Sequence, residues 1–199
     1  MNLIFMRHGE ATDNVKEVLS DKEIYWSVLT SKGIDDVKES IKYLPNDIDI
    51  IYVSPFPRTI QTAHYVLEKV KNNDVVIDNR LREIYYGKYS GQKNNEELDN
   101  IRKNQIDGDY FTSFGDYGEN KFDIENRLTS FLIDVFNNNS TSSTVLIISH
   151  GSIISYMKRI LNLKSKHTEV GKIDMFENVD FSNLNKHYEM LNKLVEKED

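Results

Sequence analysis

Of the five histidines in this chain, two stand in matched surroundings. Leu3-Ile4-Phe5-Met6 runs into Arg7-His8-Gly9-Glu10, and Val145-Leu146-Ile147-Ile148-Ser149 runs into His150-Gly151-Ser152. Each is a short apolar run that delivers a histidine, followed by a glycine that permits a tight turn. In open α/β sheets, ligands collect at the carboxyl ends of strands where the topology switches. A lone histidine in such a place reads as structural, whereas a matched pair reads as a site. A third apolar run, 48–53, ends in Ser54-Pro55-Phe56-Pro57, and Arg58 then opens a helix. Helix N-termini favour anions through free backbone amides and the helix dipole, and a guanidinium fork fits phosphate oxygens bidentately. Arg7, His8, Arg58 and His150 would together form a cationic pocket for an anion. Arg58 alone would read as a solvated charge.

Those chain ends must be held side by side, and the pattern around them indicates how. Runs at 3–6, 48–53, 75–78 and 144–149 are short, rich in β-branched or aromatic residues, and bounded by polar or turn residues, as strands are. Helical spacing lies between them. Ile34, Val37, Ile41 and Leu44 follow Thr30 as a cap and stop at Pro45. Ile60, Ala63, Leu67 and Val70 follow Pro57, which suits a first helical turn. Leu128, Phe131, Leu132 and Val135 mark a third helix, and Ile153, Met157, Ile160 and Leu161 a fourth. The stripes read as core, and the alternation predicts an α/β fold. Residues 92–120 are polar and acidic, then aromatic and glycine-punctuated, which suggests a short helix and a surface excursion. The expected organisation is one domain over 1–199 with a lid-like insertion at about 92–120. Beyond Lys164 the pattern weakens, with a closing helix expected at 184–194.

The bulk composition narrows the chemistry. With 39% hydrophobic and 29% charged residues the chain is an ordinary globular protein. It has no cysteine, which removes disulfides, thiolate metal sites and every mechanism with a thiolate nucleophile. A net charge of −7 opposes a nucleic-acid surface, which needs a basic face. The apolar runs are too short to span a bilayer, and no signal peptide is recognisable at the start. A cytoplasmic protein with neither nucleic-acid nor membrane partners is the expectation.

Arg7-His8-Gly9-Glu10, Ser54-Pro55 with Arg58, Gln61, Thr62 and Ala63, Leu81-Arg82-Glu83 with Gly87 and Gly91, Gly118-Glu119, and Ser149-His150-Gly151 occur in an order that resembles the histidine phosphatase (phosphoglycerate mutase-like) superfamily. The likeness covers roughly residues 3 to 152. It implies a three-layer α/β/α sandwich on a mostly parallel sheet. It implies that His8 is the nucleophile that becomes phosphohistidine, that Arg7, Arg58, His150 and Gly151 surround the phosphate, and that Glu83 protonates the leaving oxygen. Asn14 and Glu119 fall where relatives line the substrate entrance. Tyr89 stands where relatives often carry Trp, and Asn120 where they carry Ser, both outside the phosphate-binding set.

Physical chemistry supports such roles independently. Phosphoryl transfer needs in-line positioning and stabilisation of charge on the equatorial oxygens, which two arginines and a second histidine supply. A neutral imidazole is a competent nucleophile if a hydrogen bond on one nitrogen fixes the tautomer. A carboxyl with a raised pKa can protonate the leaving alkoxide. Glu83 earns attention only from its context, since a Glu after an Arg in a loop is usually a solvated charge. The expected activity is metal-independent phosphomonoester hydrolysis with no cofactor, acting on a small phosphorylated substrate, in a monomer or homodimer. The alternatives are a cofactor-dependent phosphoglycerate mutase and a catalytically inactive phospho-ligand-binding protein. Tyr110, Phe111, Phe114 and Tyr117 would form either an aromatic lid over the leaving group or pins that fasten the excursion to the core. Asp107, Asp109, Asp116 and Glu119 would favour a substrate with a single phosphate.

Overall fold

The computed structural model describes residues 1–22, 27–71, 74–164 and 166–196, so residues 197–199 of the expected domain span lie outside it. Its strands are β1 (Asn2–Arg7), β2 (Ile50–Val53), β3 (Val75–Ile77), β4 (Thr144–Ser149) and β5 (Ile173–Phe176). They form one sheet in the order β3-β2-β4-β1-β5. The first four are mutually parallel and β5 runs antiparallel to β1. The helices are α1 (Thr12–Lys16), α2 (Ser31–Ser40), α3 (Pro57–Leu67), α4 (Glu96–Ile106), α5 (Lys121–Asn138), α6 (Gly151–Ile160) and α7 (Ser182–Val195).

Parallel strands need crossover helices, which cover both sheet faces. Successive side chains of a strand point to opposite faces, and the core divides accordingly. Ile4, Met6, Ile51, Val53, Leu146 and Ile148 pack with Val37 of α2 and Ala63 and Val66 of α3. Leu3, Phe5, Tyr52, Val145 and Ile147 pack with Leu98 of α4, Leu128 and Phe131 of α5, Ile153 and Met157 of α6, and Leu184 of α7. The result is the three-layer α/β/α sandwich. Among the described residues, no helix is long and apolar enough to cross a membrane.

Local signals account for the element ends. The Thr30 hydroxyl accepts from the Gly33 amide at 2.9 Å and caps α2, and Pro57 occupies the first turn of α3. The run toward Leu44 leaves α-geometry early, continuing as a 3₁₀ turn at Ile41–Tyr43. Strand β5, with Asp174 and a half-exposed Met175 in an edge position, lacks the apolar continuity that marks the buried strands, so nothing in its residues announced it. In the 92–120 stretch the aromatic residues divide. Phe114 is buried edge-on to Tyr86 at 5.2 Å, and Phe111 stacks on Phe122 at 5.9 Å. Tyr117 is 92% exposed. Pinning describes the first two better than a lid does.

Candidate active site

Strand register brings the two histidines together. Arg7 of β1 lies opposite Ser149 of β4, so His8 and His150 leave the sheet as neighbours, with ring centroids 5.3 Å apart. Val53 of β2 lies opposite Ile148, which puts Ser54 beside His150. Arg58, on the second residue of α3, reaches back over this edge with only 2% of its surface exposed. Its guanidinium lies 5.1 Å over the Phe56 ring and donates to the Ser20 carbonyl at 2.9 Å.

The hydrogen bonds fix both imidazole tautomers. His8 Nδ1 meets the Gly9 carbonyl at 2.8 Å. A carbonyl can only accept, so Nδ1 carries the proton and Nε2 has a lone pair. Arg58 Nε donates to that lone pair at 3.2 Å. In His150 the pattern is reversed. Arg58 Nη2 donates to Nδ1 at 3.1 Å, so Nε2 carries the proton and donates to Ser54 Oγ at 2.8 Å. Burial, reinforced by the Arg58 charge, holds the pKa of each imidazole well below its ordinary value. Both rings are therefore neutral, the lone pair of each accepts from Arg58, and of the two only His8 lines the adjoining cavity.

Arg7 approaches from the other side. Its Nη1 donates to His167 Nε2 at 2.9 Å and to the Thr168 carbonyl at 3.2 Å, while its buried Nε has no hydrogen-bond partner among the described residues. His167 Nδ1 donates in turn to Ser155 Oγ at 3.2 Å, whose own proton goes to the Gly151 carbonyl at 2.8 Å. The glycines after each histidine serve close approach rather than the expected tight turn, since neither has a positive φ. A Cβ on Gly151 would lie 2.9 Å from Arg7 Cζ and 2.8 Å from His167 Cε1. A Cβ on Gly9 would lie 2.6 Å from the Gly33 carbonyl oxygen.

Glu83 follows a 3₁₀ turn, Asn79–Leu81, that is fastened to the sheet by Ser149 Oγ donating to the Leu81 carbonyl at 2.8 Å. Burial raises the Glu83 pKa, only partly opposed by the Ile84 amide that donates to its carboxyl at 2.9 Å and by the charges of Arg58 and Arg7. A cavity of about 200 Å³ is lined by Arg7, His8, Asn14, Arg58 and Glu83, five of the sequence candidates. Asn14 Oδ1 accepts from the Ala11 amide at 2.9 Å.

Glu119, His150 and Gly151 are not among the residues that line this cavity; Glu119 sits in a network of its own. Its carboxylate is buried between Arg82 (2.7 Å) and Arg127 (2.8 Å) and accepts the Tyr85 amide at 2.9 Å. Arg127 also donates to the Arg80 carbonyl. These contacts grip the chain on both sides of Glu83, so Glu119 helps to hold that segment in place. Removing one partner of a buried ion cluster leaves the others uncompensated. Glu119→Ala is expected to cost about 3 kcal/mol of stability and to lower kcat with little change in KM. Denaturant unfolding and steady-state kinetics check this, and a raised KM at full stability would return Glu119 to ligand contact.

The sequence reading missed Asp13, Ser20, Tyr86, Arg102 and Ser152, which also line the cavity, and His167, which holds Arg7. Asp13 adjoins the flagged Asn14, and Ser152 follows His150-Gly151, so proximity was their only signal. His167 lies in the tail where no pattern could be placed. Among the described residues, no group of three or more His, Cys, Asp or Glu could hold a metal ion.

Comparison with known proteins bears on the family and the fold. The model of the histidine phosphatase superfamily (branch 1) matches residues 3–190. A 2,3-bisphosphoglycerate-dependent phosphoglycerate mutase of Thermoplasma acidophilum is 40% identical over 106 residues, covering 53% of this chain and 52% of that protein, so the match spans about half of the mutase's length. Phosphoserine phosphatase 1 of Hydrogenobacter thermophilus is 28% identical over 157 residues, 75% of this chain and 71% of that protein. The fold is shared with a phosphoserine phosphatase of Entamoeba histolytica, solved in complex with 3-phosphoglyceric acid, at a TM-score of 0.71 and 22% identity over 88% of this chain and 89% of that one.

Proposed function

Because the chain belongs to the histidine phosphatase superfamily (branch 1), we propose that it hydrolyses phosphomonoesters through a phosphohistidine on His8. The observation that carries this reading is the deprotonated Nε2 of His8, held toward Arg58 by the Nδ1 proton bound to Gly9. Arg7 and Arg58 grip the phosphoryl oxygens, and the unpartnered Nε of Arg7 supplies a donor already stripped of water. His8 Nε2 attacks phosphorus as the ester P–O bond breaks, and Glu83 gives its proton to the departing oxygen. Water then attacks the phosphohistidine, Glu83 takes up its proton, and phosphate leaves.

A metal has no part in this sequence. Activity is expected to survive exhaustive EDTA treatment, and loss on chelation reversed specifically by Mg²⁺ or Zn²⁺ would refute the mechanism. The proposed partner is a small phosphorylated substrate, and the proposed setting is the cytoplasm, with the chain a monomer or homodimer. The partial match to a phosphoglycerate mutase supports a second reading, transfer between phosphoglycerate positions. The two part on a simple assay of purified protein with a panel of phosphomonoesters. Hydrolysis releases free phosphate with no primer, whereas mutase turnover of 3-phosphoglycerate depends on added bisphosphoglycerate.

A further inference from the structure

A second cavity, of about 310 Å³, opens directly beside the first, and Arg102 and Ser152 line both. That volume is room for about ten waters, more than a three-carbon acid fills, and it lies at the low end for small-molecule sites. Its walls are braced. Gln105 of α4, almost fully buried, donates to the Thr112 carbonyl at 3.0 Å and accepts from the Tyr156 hydroxyl of α6 at 3.1 Å. This brace ties the 92–120 stretch to the core across the cavity. Ile106 and Phe114 give it an apolar side.

Charge in this cavity runs against the chain as a whole. Among the described residues no carboxylate lines it, while two guanidiniums do, in a protein with a net charge of −7. Arg102 is already committed, donating to Asn94 and to Asp99. Arg159 is exposed, lies 4.2 Å over the Tyr156 ring, and pairs with no carboxylate among the described residues. His167, at the same wall, is neutral because Nε2 accepts from Arg7.

We propose that this cavity receives the alcohol portion of the substrate, and that this portion is a ring-sized body carrying one carboxylate that Arg159 binds. The proposal rests on the phosphatase reading, since it places the phosphoryl group in the neighbouring cavity. One guanidinium that stacks on and bonds Tyr156 but has no carboxylate partner among the described residues matches one carboxylate bidentately. A second phosphate dianion would call for more donors than the wall offers.

The test uses the full chain carrying His8→Ala, which cannot turn over, with 4-carboxyphenyl phosphate and phenyl phosphate as probes in calorimetry. The carboxylated ester is expected to bind about tenfold more tightly. Adding Arg159→Ala should erase that preference and leave phenyl phosphate binding unchanged. Equal affinity for the two esters, or a preference that persists without Arg159, would overturn the assignment. So would a gain for 1,4-phenylene bisphosphate with none for the carboxylate. Phosphate release from the same esters by the unmutated enzyme is read separately. Its absence would fault the phosphatase reading, while the binding comparison still decides the cavity.

Discussion

Replacing His8 with alanine is expected to reduce turnover by about 10⁴-fold or more, the scale on which a nucleophile matters when the rest of its site is intact. The two buried histidines look equivalent in sequence, and both nitrogens of each are engaged. His150 pairs with Arg58 and Ser54, and His8 with Gly9 and Arg58. What separates them is that, of the two, only His8 lines the cavity. Both imidazoles are kept neutral by burial and by the Arg58 charge, so the difference between them is orientation, not basicity. His8→Ala leaves the arginine pair in place and should still bind a phosphate ester. Enzyme quenched during turnover should carry a phosphate that is labile in acid, stable in base, and located on His8. Substantial activity in His8→Ala, with a dead His150→Ala, would exchange the two roles.

What could be read from residues alone follows from where each signal is local. Strands β1 and β4 announce themselves because they are buried on both faces and therefore continuously apolar. Their histidines come with them, since a strand end is a fixed address once the strand is known. Arg58 was legible for the same reason, through Pro57 and the end of β2. Edge strands had to be read from residue type instead. Val75-Val76-Ile77 marks β3 through its β-branched run although Val76 and Ile77 are exposed, whereas in β5 Asp174 is turned to Lys158 at 2.5 Å and breaks any such run, so β5 was not legible. His167 escaped because it acts across 160 positions of sequence, through one contact with Arg7. Glu119 was singled out only through the resemblance. The partners that hold it, Arg82 and Arg127, come from a loop and from α5. Only the folded chain shows that its carboxylate is already bound.

Glu83→Gln is expected to depress turnover about 10²- to 10⁴-fold on an alkyl phosphate, the usual scale for general acid catalysis, and clearly less on p-nitrophenyl phosphate. An alkyl alcohol leaves as a strongly basic alkoxide and needs a proton in the transition state. p-Nitrophenolate departs without one, so the loss should shrink as long as phosphorylation of His8 is the step measured. Burial raises the Glu83 pKa against the opposing pull of Arg58 and Arg7, which keeps the carboxyl protonated to higher pH than an exposed Glu. The acid form is the active one, so kcat on the alkyl ester should fall as pH rises through the Glu83 pKa, and Glu83→Gln should lack that limb. On the acid side, the depressed pKa of His8 keeps the nucleophile deprotonated well below the ordinary histidine range. Arg58→Ala behaves differently: it grips the phosphoryl group common to both esters and should cost each about 10²- to 10³-fold. Equal losses on the two substrates in Glu83→Gln, with the alkaline limb retained, would make Glu83 a binding or structural residue. Asp13, the other carboxylate that lines the cavity, would then be the next candidate for the acid, because the Glu119 carboxylate is held between two arginines.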